Sequence, residues 1–158
     1  MRQVACRLCE SIEEVIENTP NSLMPKRINI DLPSSAAAFF RVALPKAQTE
    51  ERVYVLPLDA NGKVLAKPIL VSVGHQDGTA TIDAGAIFRE ALKAGAEEVI
   101  VAHNHPSGDL TPSKADIAAT RELADLGKRL STPLVDHLII GLGEDCGFLS
   151  LAEYGYVG

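Results

Sequence analysis

EVIVAHNHPSGDLTPSKAD, residues 98–116, changes character twice. It begins with a short, mostly apolar run ending on His103, the pattern of a strand buried on both faces. It ends in a helix start, where Thr111 is a natural cap and Pro112 fits the first helical position. Pro-Ser-Gly between them reads as a turn. The apolar spacing then predicts a helix to about Leu130, with Ile117, Leu123, Leu126 and Leu130 buried. Ser-Thr-Pro breaks it, and LVDHLIIG (134–141) reads as the next strand.

Working outward, ERVYVLPLD (51–59) is a strand, DANG (59–62) a turn and KVLAKPILVSV (63–73) a second strand. Together they read as a hairpin, with Pro57 and Pro68 suggesting edges or bulges. GHQDGT (74–79) is another turn, and a helix follows from Asp83 as cap to about Lys93, ending at Gly95. Ser34 caps a predicted helix through about Val42, stopped by Pro45. GFLSL supplies a last short strand. Residues 1–19 read as a short helix with Ile12, Val15 and Ile16 on one face, and 19–33 as a proline-rich loop with an extended piece at 28–30. The expectation is an α/β (α+β) fold, a mixed β-sheet flanked by helices, with an N-terminal helix and linker over 1–32 and the domain over 33–158.

Bulk properties exclude several classes. The chain has 158 residues, and 15 basic against 21 acidic side chains give a net charge of −6. That balance argues against unspecific attraction to nucleic acid. No apolar run approaches the ~20 residues of a membrane span, and MRQVACRLCE is not a signal peptide, so a cytoplasmic protein is expected. The three cysteines, Cys6, Cys9 and Cys146, form no disulfide framework. Cys6 and Cys9 make one C-x-x-C, half of what a structural zinc needs, and read as ordinary thiols.

The polar residues of the opening stretch are the candidate site. His103 and His105 share a side-chain direction if extended geometry persists through Asn104. Ser113 and Asp116, three apart, share a helix face. Two histidines and an aspartate make three ligands, and a fourth position left for water is the arrangement of a catalytic zinc. A helix start also favours a carboxylate or a developing oxyanion. A general base must come from elsewhere in the chain.

H-x-H, seven residues, then S-x-x-D matches the JAMM zinc motif of the MPN/JAB domain family. HNHPSGDLTPSKAD, FREALKAGAEEVIVAHNHPSGD and VDHLIIG resemble its RadC branch, over about Leu32 to the C-terminus. The resemblance implies an MPN/JAB, cytidine-deaminase-like architecture and a zinc-dependent hydrolase of metallopeptidase or isopeptidase type, with zinc-bound water attacking an amide carbonyl. It implies Zn2+ on His103, His105 and Asp116. Ser113 would steady the tetrahedral intermediate. A glutamate on the first core strand would be the base: E-x-x-x-x-L-x-L-D overlays Glu51 to Asp59, which makes Glu51 the candidate and Glu50 its alternative. The implied substrate is a peptide or protein with an amide or isopeptide bond, its identity left open.

There are departures. RadC-like proteins carry a helix-hairpin-helix module before this domain, and residues 1–32 are too short for one, which counts against direct duplex DNA binding. Where the family tends to have His-Pro before the helix ahead of the motif strand, Asp83-Ala84 stands here. The alternative function is a DNA-repair-associated accessory or a non-catalytic MPN scaffold. A nucleobase deaminase is disfavoured, because its H-x-E and P-C-x-x-C are lacking. Homo-oligomerisation is left open.

Other polar residues read as bland. Asn104, Pro106, Ser107 and Gly108 shape the loop, and His75 is a loop histidine. Asp136 and His137 are either a satisfied structural pair or support for the metal ligands. Lys114, Arg121, Lys128 and Arg129 interleave with Glu122 and Asp125 as a solvated helix face.

Overall fold

A computed structural model describes residues 14, 16–18, 20, 28–45, 48–74, 80–141 and 147–158. In chain order its elements are α1 (Pro33–Ala43), β1 (Arg52–Leu58), β2 (Ile69–Val73), α2 (Ala84–Lys93), β3 (Glu98–Asn104), α3 (Lys114–Arg129), β4 (Leu134–Ile140) and β5 (Phe148–Ser150). Cys6, Cys9, Cys146, Ile12, Val15 and His75 lie outside the described residues. Among those described, no helix is long and apolar enough to cross a membrane.

The five strands form one sheet in the order β2-β1-β3-β4-β5. β1 is antiparallel to β2 and β3, β3 and β4 are parallel, and β5 is antiparallel to β4. The sheet is therefore mixed and helix-flanked, an α+β fold of the expected kind. Strand alternation sorts its side chains into two cores. Tyr54, Leu56, Leu58, Ile100, Ala102, Leu138 and Ile140 pack with Phe39 and Phe40 of α1. Val53, Val55, Val99 and Val101 pack with Ile87 and Phe88 of α2 and Leu123 of α3. By the same alternation His103 points to the face that α3 covers. Ile16, fully buried, also belongs to the first core, and Ile28 and Ile30 pack against it on either side of Asn29, which is bridged to Lys63.

Four local expectations are corrected. Residues 63–73 are not one strand: Lys63 and Val64 make isolated bridges to Asn29 and Leu58, and β2 starts only after Pro68, which has no ladder donor. Pro57 lies inside β1, an interior strand. Its carbonyl accepts from Leu65 N at 2.9 Å, so its missing N–H faces this interrupted segment rather than β3. Helix α1 starts at Pro33, preset for a first helical position, with Leu32 and not Ser34 at the cap.

The fourth correction concerns α3. Its cap is Ser113, not Thr111, because Ser113 and Asp116 form a capping box that satisfies two backbone donors. The buried face is Asp116, Thr120, Leu123, Ala124 and Gly127. Leu130, expected inside, is 41% exposed, since it follows the last helical turn. Gly127 lets α3 approach closely: a Cβ there would stand 2.7 Å from Thr132 O and 3.1 Å from Phe88 Cζ. That contact seats α3 against α2 and the start of β4.

Candidate metal centre

The strand β3 and the helix α3 meet at their polar ends. After β3, His105 O accepts from Gly108 N at 2.9 Å, closing a turn in which Gly108 takes φ +82°. Asp109 then accepts from Thr111 N at 2.9 Å and leads the chain into α3. These turns bring the helix start back over the strand it left.

His103 Nε2 and His105 Nε2 stand 3.1 Å apart. Asp116 presents one carboxylate oxygen to each, Oδ1 at 3.3 Å from His103 Nε2 and Oδ2 at 3.3 Å from His105 Nε2. Tetrahedral zinc with bonds of ~2.0–2.1 Å has ligands roughly 3.3–3.4 Å apart. The three side chains are spaced to suit such an ion, and nitrogen with carboxylate oxygen is a zinc donor set. Glu51 flanks them: its Oε1 is 3.7 Å from His105 Nε2, and its Oε2 accepts from Ala80 N at 2.9 Å. Glu51, His103 and His105 each offer a ligand atom within 4.8 Å of the others.

His105 and Asp116 favour one another's charged form. Burial pushes the Asp116 carboxyl up, but bonds from His103 and His105, the charge of His103 and the Ser113 N–H together hold it well below the ordinary carboxylate range. Its bond to Asp116 raises the His105 pKa above its ordinary value, against the opposing effect of burial.

The profile of the RadC-like JAB domain matches residues 30–156. The chain belongs to that family. Its superfamily includes metallohydrolases. The chain is similar to a UPF0758 protein of Thermosynechococcus vestitus, 40% identical over 118 residues that cover 73% of this chain and 45% of the relative. With a UPF0758 protein of Chloroflexus aggregans the identity is 37% over 142 residues, 90% of this chain and 59% of the relative. A shorter match, 54% over 71 residues, joins it to a UPF0758 protein of Geobacillus kaustophilus, covering 45% of this chain and 30% of that one. The chain spans about half the length of the first two of these relatives.

In this JAB domain Glu51, His103, His105 and Asp116 stand together, with Ser113 beside Asp116 at the helix start. Between the alternatives Glu51 and Glu50, the Glu51 carboxylate stands beside His105, while Glu50 contributes its backbone carbonyl to a bond from Asn104. Ser113 has the helix-start role: its Oγ accepts from Asp116 N at 3.0 Å, and its N–H donates to Asp116 Oδ2 at 2.9 Å. With the oxygen accepting, the hydroxyl hydrogen remains as a donor.

Three residues matter more than their sequence context indicates. Asn104, read as loop-shaping, is 1% exposed. Its Oδ1 accepts from Arg52 N at 2.7 Å, and its Nδ2 donates to Glu50 O at 3.0 Å and Gln48 Oε1 at 3.1 Å. It thus grips the peptide groups on both sides of Glu51. His137 is wholly buried, with Nε2 2.8 Å from His103 Nδ1 and Nδ1 2.7 Å from Thr120 Oγ1. Burial lowers its pKa well below the ordinary value, so it is neutral. Asp136 divides from it: its carboxylate accepts from Ser150 Oγ, Ala152 N and His137 N, a structural bracket between β4 and the C-terminal segment. Nothing in the sequence singled out Thr120, which stands one helical turn after Asp116 on the same face. Lys114, Arg121, Lys128 and Arg129 are exposed, as a solvated face requires.

Proposed function

We propose that this JAB domain is a zinc-dependent hydrolase acting on an amide or isopeptide bond of a peptide or protein. The observation that carries the reading is the spacing of His103, His105 and Asp116, all 3.1–3.3 Å apart, with a carboxylate beside them that is not needed as a ligand. Zinc, when bound, supplies an acidified water as nucleophile and polarises the carbonyl under attack. His103 and His105 would hold it through Nε2 and Asp116 through its carboxylate. Glu51 acts as base, taking the proton of the attacking water and delivering it to the leaving amine. The Ser113 hydroxyl, at the positive end of α3, donates to the developing oxyanion.

Metal analysis of the purified protein is expected to give about one zinc per chain, lost in His103→Ala. A peptidase and isopeptidase screen then compares wild type with Glu51→Gln. The variant is expected to keep zinc and lose about 10²- to 10⁴-fold in rate, the usual worth of a general base. A metal-free wild type rules out the zinc site, and undiminished hydrolysis by Glu51→Gln rules out Glu51 as base.

A further inference from the structure

We propose that Thr120 and His137 act as positioning residues, forming a hydrogen-bond relay that keeps a proton on His103 Nδ1 and so leaves its Nε2 for the metal position. The inference rests on the metal reading of the site.

The direction of each bond follows from its neighbour. The relay starts at the Asp116 backbone carbonyl, which can only accept. Thr120 Oγ1 lies 2.7 Å from it, a contact that is attractive only with the hydroxyl hydrogen between the two oxygens. That hydrogen is the only one Thr120 Oγ1 has. Toward His137 Nδ1, at 2.7 Å, the oxygen therefore presents a lone pair, and Nδ1 carries a proton. A ring this deeply buried, touching another imidazole and no carboxylate, is neutral, since an uncompensated buried cation is costly. Its Nε2 is therefore bare and accepts from His103 Nδ1–H at 2.8 Å. A neutral His103 then has its lone pair on Nε2, the atom that faces His105 and Asp116.

His105 is oriented in the same sense by a separate route. Asp109 O, which can only accept, takes its Nδ1–H at 2.7 Å. One ligand is set by a loop carbonyl next to it, the other by a three-residue relay through the core. The relay begins and ends at ligands, because Asp116 supplies the carbonyl that starts it. The same helix turn that presents the Asp116 carboxylate thus also sets the protonation of His103.

Long-range nitrogen–proton NMR of the metal-free protein reads the tautomers directly. Both His103 and His137 are expected to carry a proton on Nδ1; a His103 protonated on Nε2 alone overturns the relay. Thr120→Val keeps the shape and removes the acceptor for His137 Nδ1–H. The His137 proton is then expected on Nε2, donated to His103 Nδ1, which drives the His103 proton onto Nε2. Zinc affinity, measured by competition with a chromophoric chelator, is expected to fall on the order of 10- to 100-fold, as for other residues that orient metal ligands. Thr120→Ser, which retains the hydroxyl, is expected to bind zinc as wild type does. Thr120→Val with wild-type tautomers and affinity overturns the relay and leaves the metal site standing. A wild type with the expected tautomers that binds no zinc overturns the metal reading instead.

Discussion

Asp116→Asn separates the two duties of Asp116. The amide keeps the size of the carboxylate and an oxygen that can accept from Ser113 N, a bond of 2.9 Å in the native protein. The cap should therefore survive, and folding should lose only the charge at the helix start, about 0.3–1 kcal/mol. Zinc binding should lose far more. Structural zinc sites with four ligands bind with about 10–16 kcal/mol, roughly 2.5–4 kcal/mol per ligand. That corresponds to a loss of roughly 10²- to 10³-fold in affinity. Thermal melts with and without zinc provide the assay. At free zinc of 100 times the dissociation constant, wild type should gain about 2.7 kcal/mol. For 158 residues, at ~2–4 °C per kcal/mol, the melting point should rise by roughly 5–11 °C. A 100-fold weaker variant at the same zinc concentration should gain only about 0.4 kcal/mol, a rise of ~1–2 °C. An equal zinc shift in both proteins would refute Asp116 as a ligand. A variant that no longer folds without zinc would show instead that the capping box needs the charge.

Further predictions probe the surroundings. Asn104→Ala strips partners from Arg52 N and Glu50 O and should cost about 1–3 kcal/mol by urea denaturation. Its zinc affinity should stay near wild type, because Asn104 holds the segment carrying Glu51 and touches no ligand atom; a parallel loss of zinc would contradict this. Gly127→Ala gains helix propensity of ~1 kcal/mol but drives a Cβ to 2.7 Å from Thr132 O, so a net loss of stability is expected, and a stabilised variant would show that β4 yields. In the metal-free protein the pKa of His137 is depressed by burial, so its contribution is present above the ordinary 6.5 and lost as pH falls below it. His105 is raised, chiefly by Asp116, so its contribution is present below 6.5 and lost as pH rises through its folded value. Urea titrations with a chelator present should show His137→Gln losing part of the acid limb, which is at most about 1.4 kcal/mol per pH unit for one group. An unchanged acid limb would mean that His137 is protonated in the native state.

The sheet and its helices were legible where local signals agreed. Asp83 as cap and Gly95 as terminator bounded α2 correctly, because each acts within one turn of the chain. The apolar run of β3 announced a strand buried on both faces. Reading failed where a long-range partner decided. Residues 63–73 have strand composition throughout, yet the bridges of Lys63 and Val64 to Asn29 and Leu58 separate them from β2. On α3 the apolar pattern pointed to Leu130, whereas the buried face includes Asp116 and Thr120, polar residues that periodicity counts as outward. The ligands were legible because metal chemistry needs particular residues at close spacing. Thr120 and Asn104 were not, and His137 was left between a structural pairing with Asp136 and support for the metal ligands, since each acts through a hydrogen bond to a residue at least seventeen positions away, apart from the local bond of Thr120 to Asp116.

The order His-Asn-His on β3 follows from the pleat of the strand. Consecutive side chains leave a strand on opposite faces, so residues 103 and 105 can serve one ion while residue 104 serves the other side. There Asn104 does what a backbone partner would do in a continued ladder. β1 and β3 last pair at Val53 and His103, and beyond that point the Asn104 amide accepts from Arg52 and donates to Glu50. The ladder is in effect extended by a side chain, and Glu51, between the two gripped peptide groups, is held with its carboxylate toward the metal position. An amide is suited to this, since it offers donor and acceptor together; an aspartate would repel Glu50 O, and a serine is too short to span both groups. One strand end thus supplies two ligands on one face and the grip for the proposed base on the other. A single-residue insertion before His103 would reverse both faces at once, placing the histidines in the α1 core and the asparagine in the metal site.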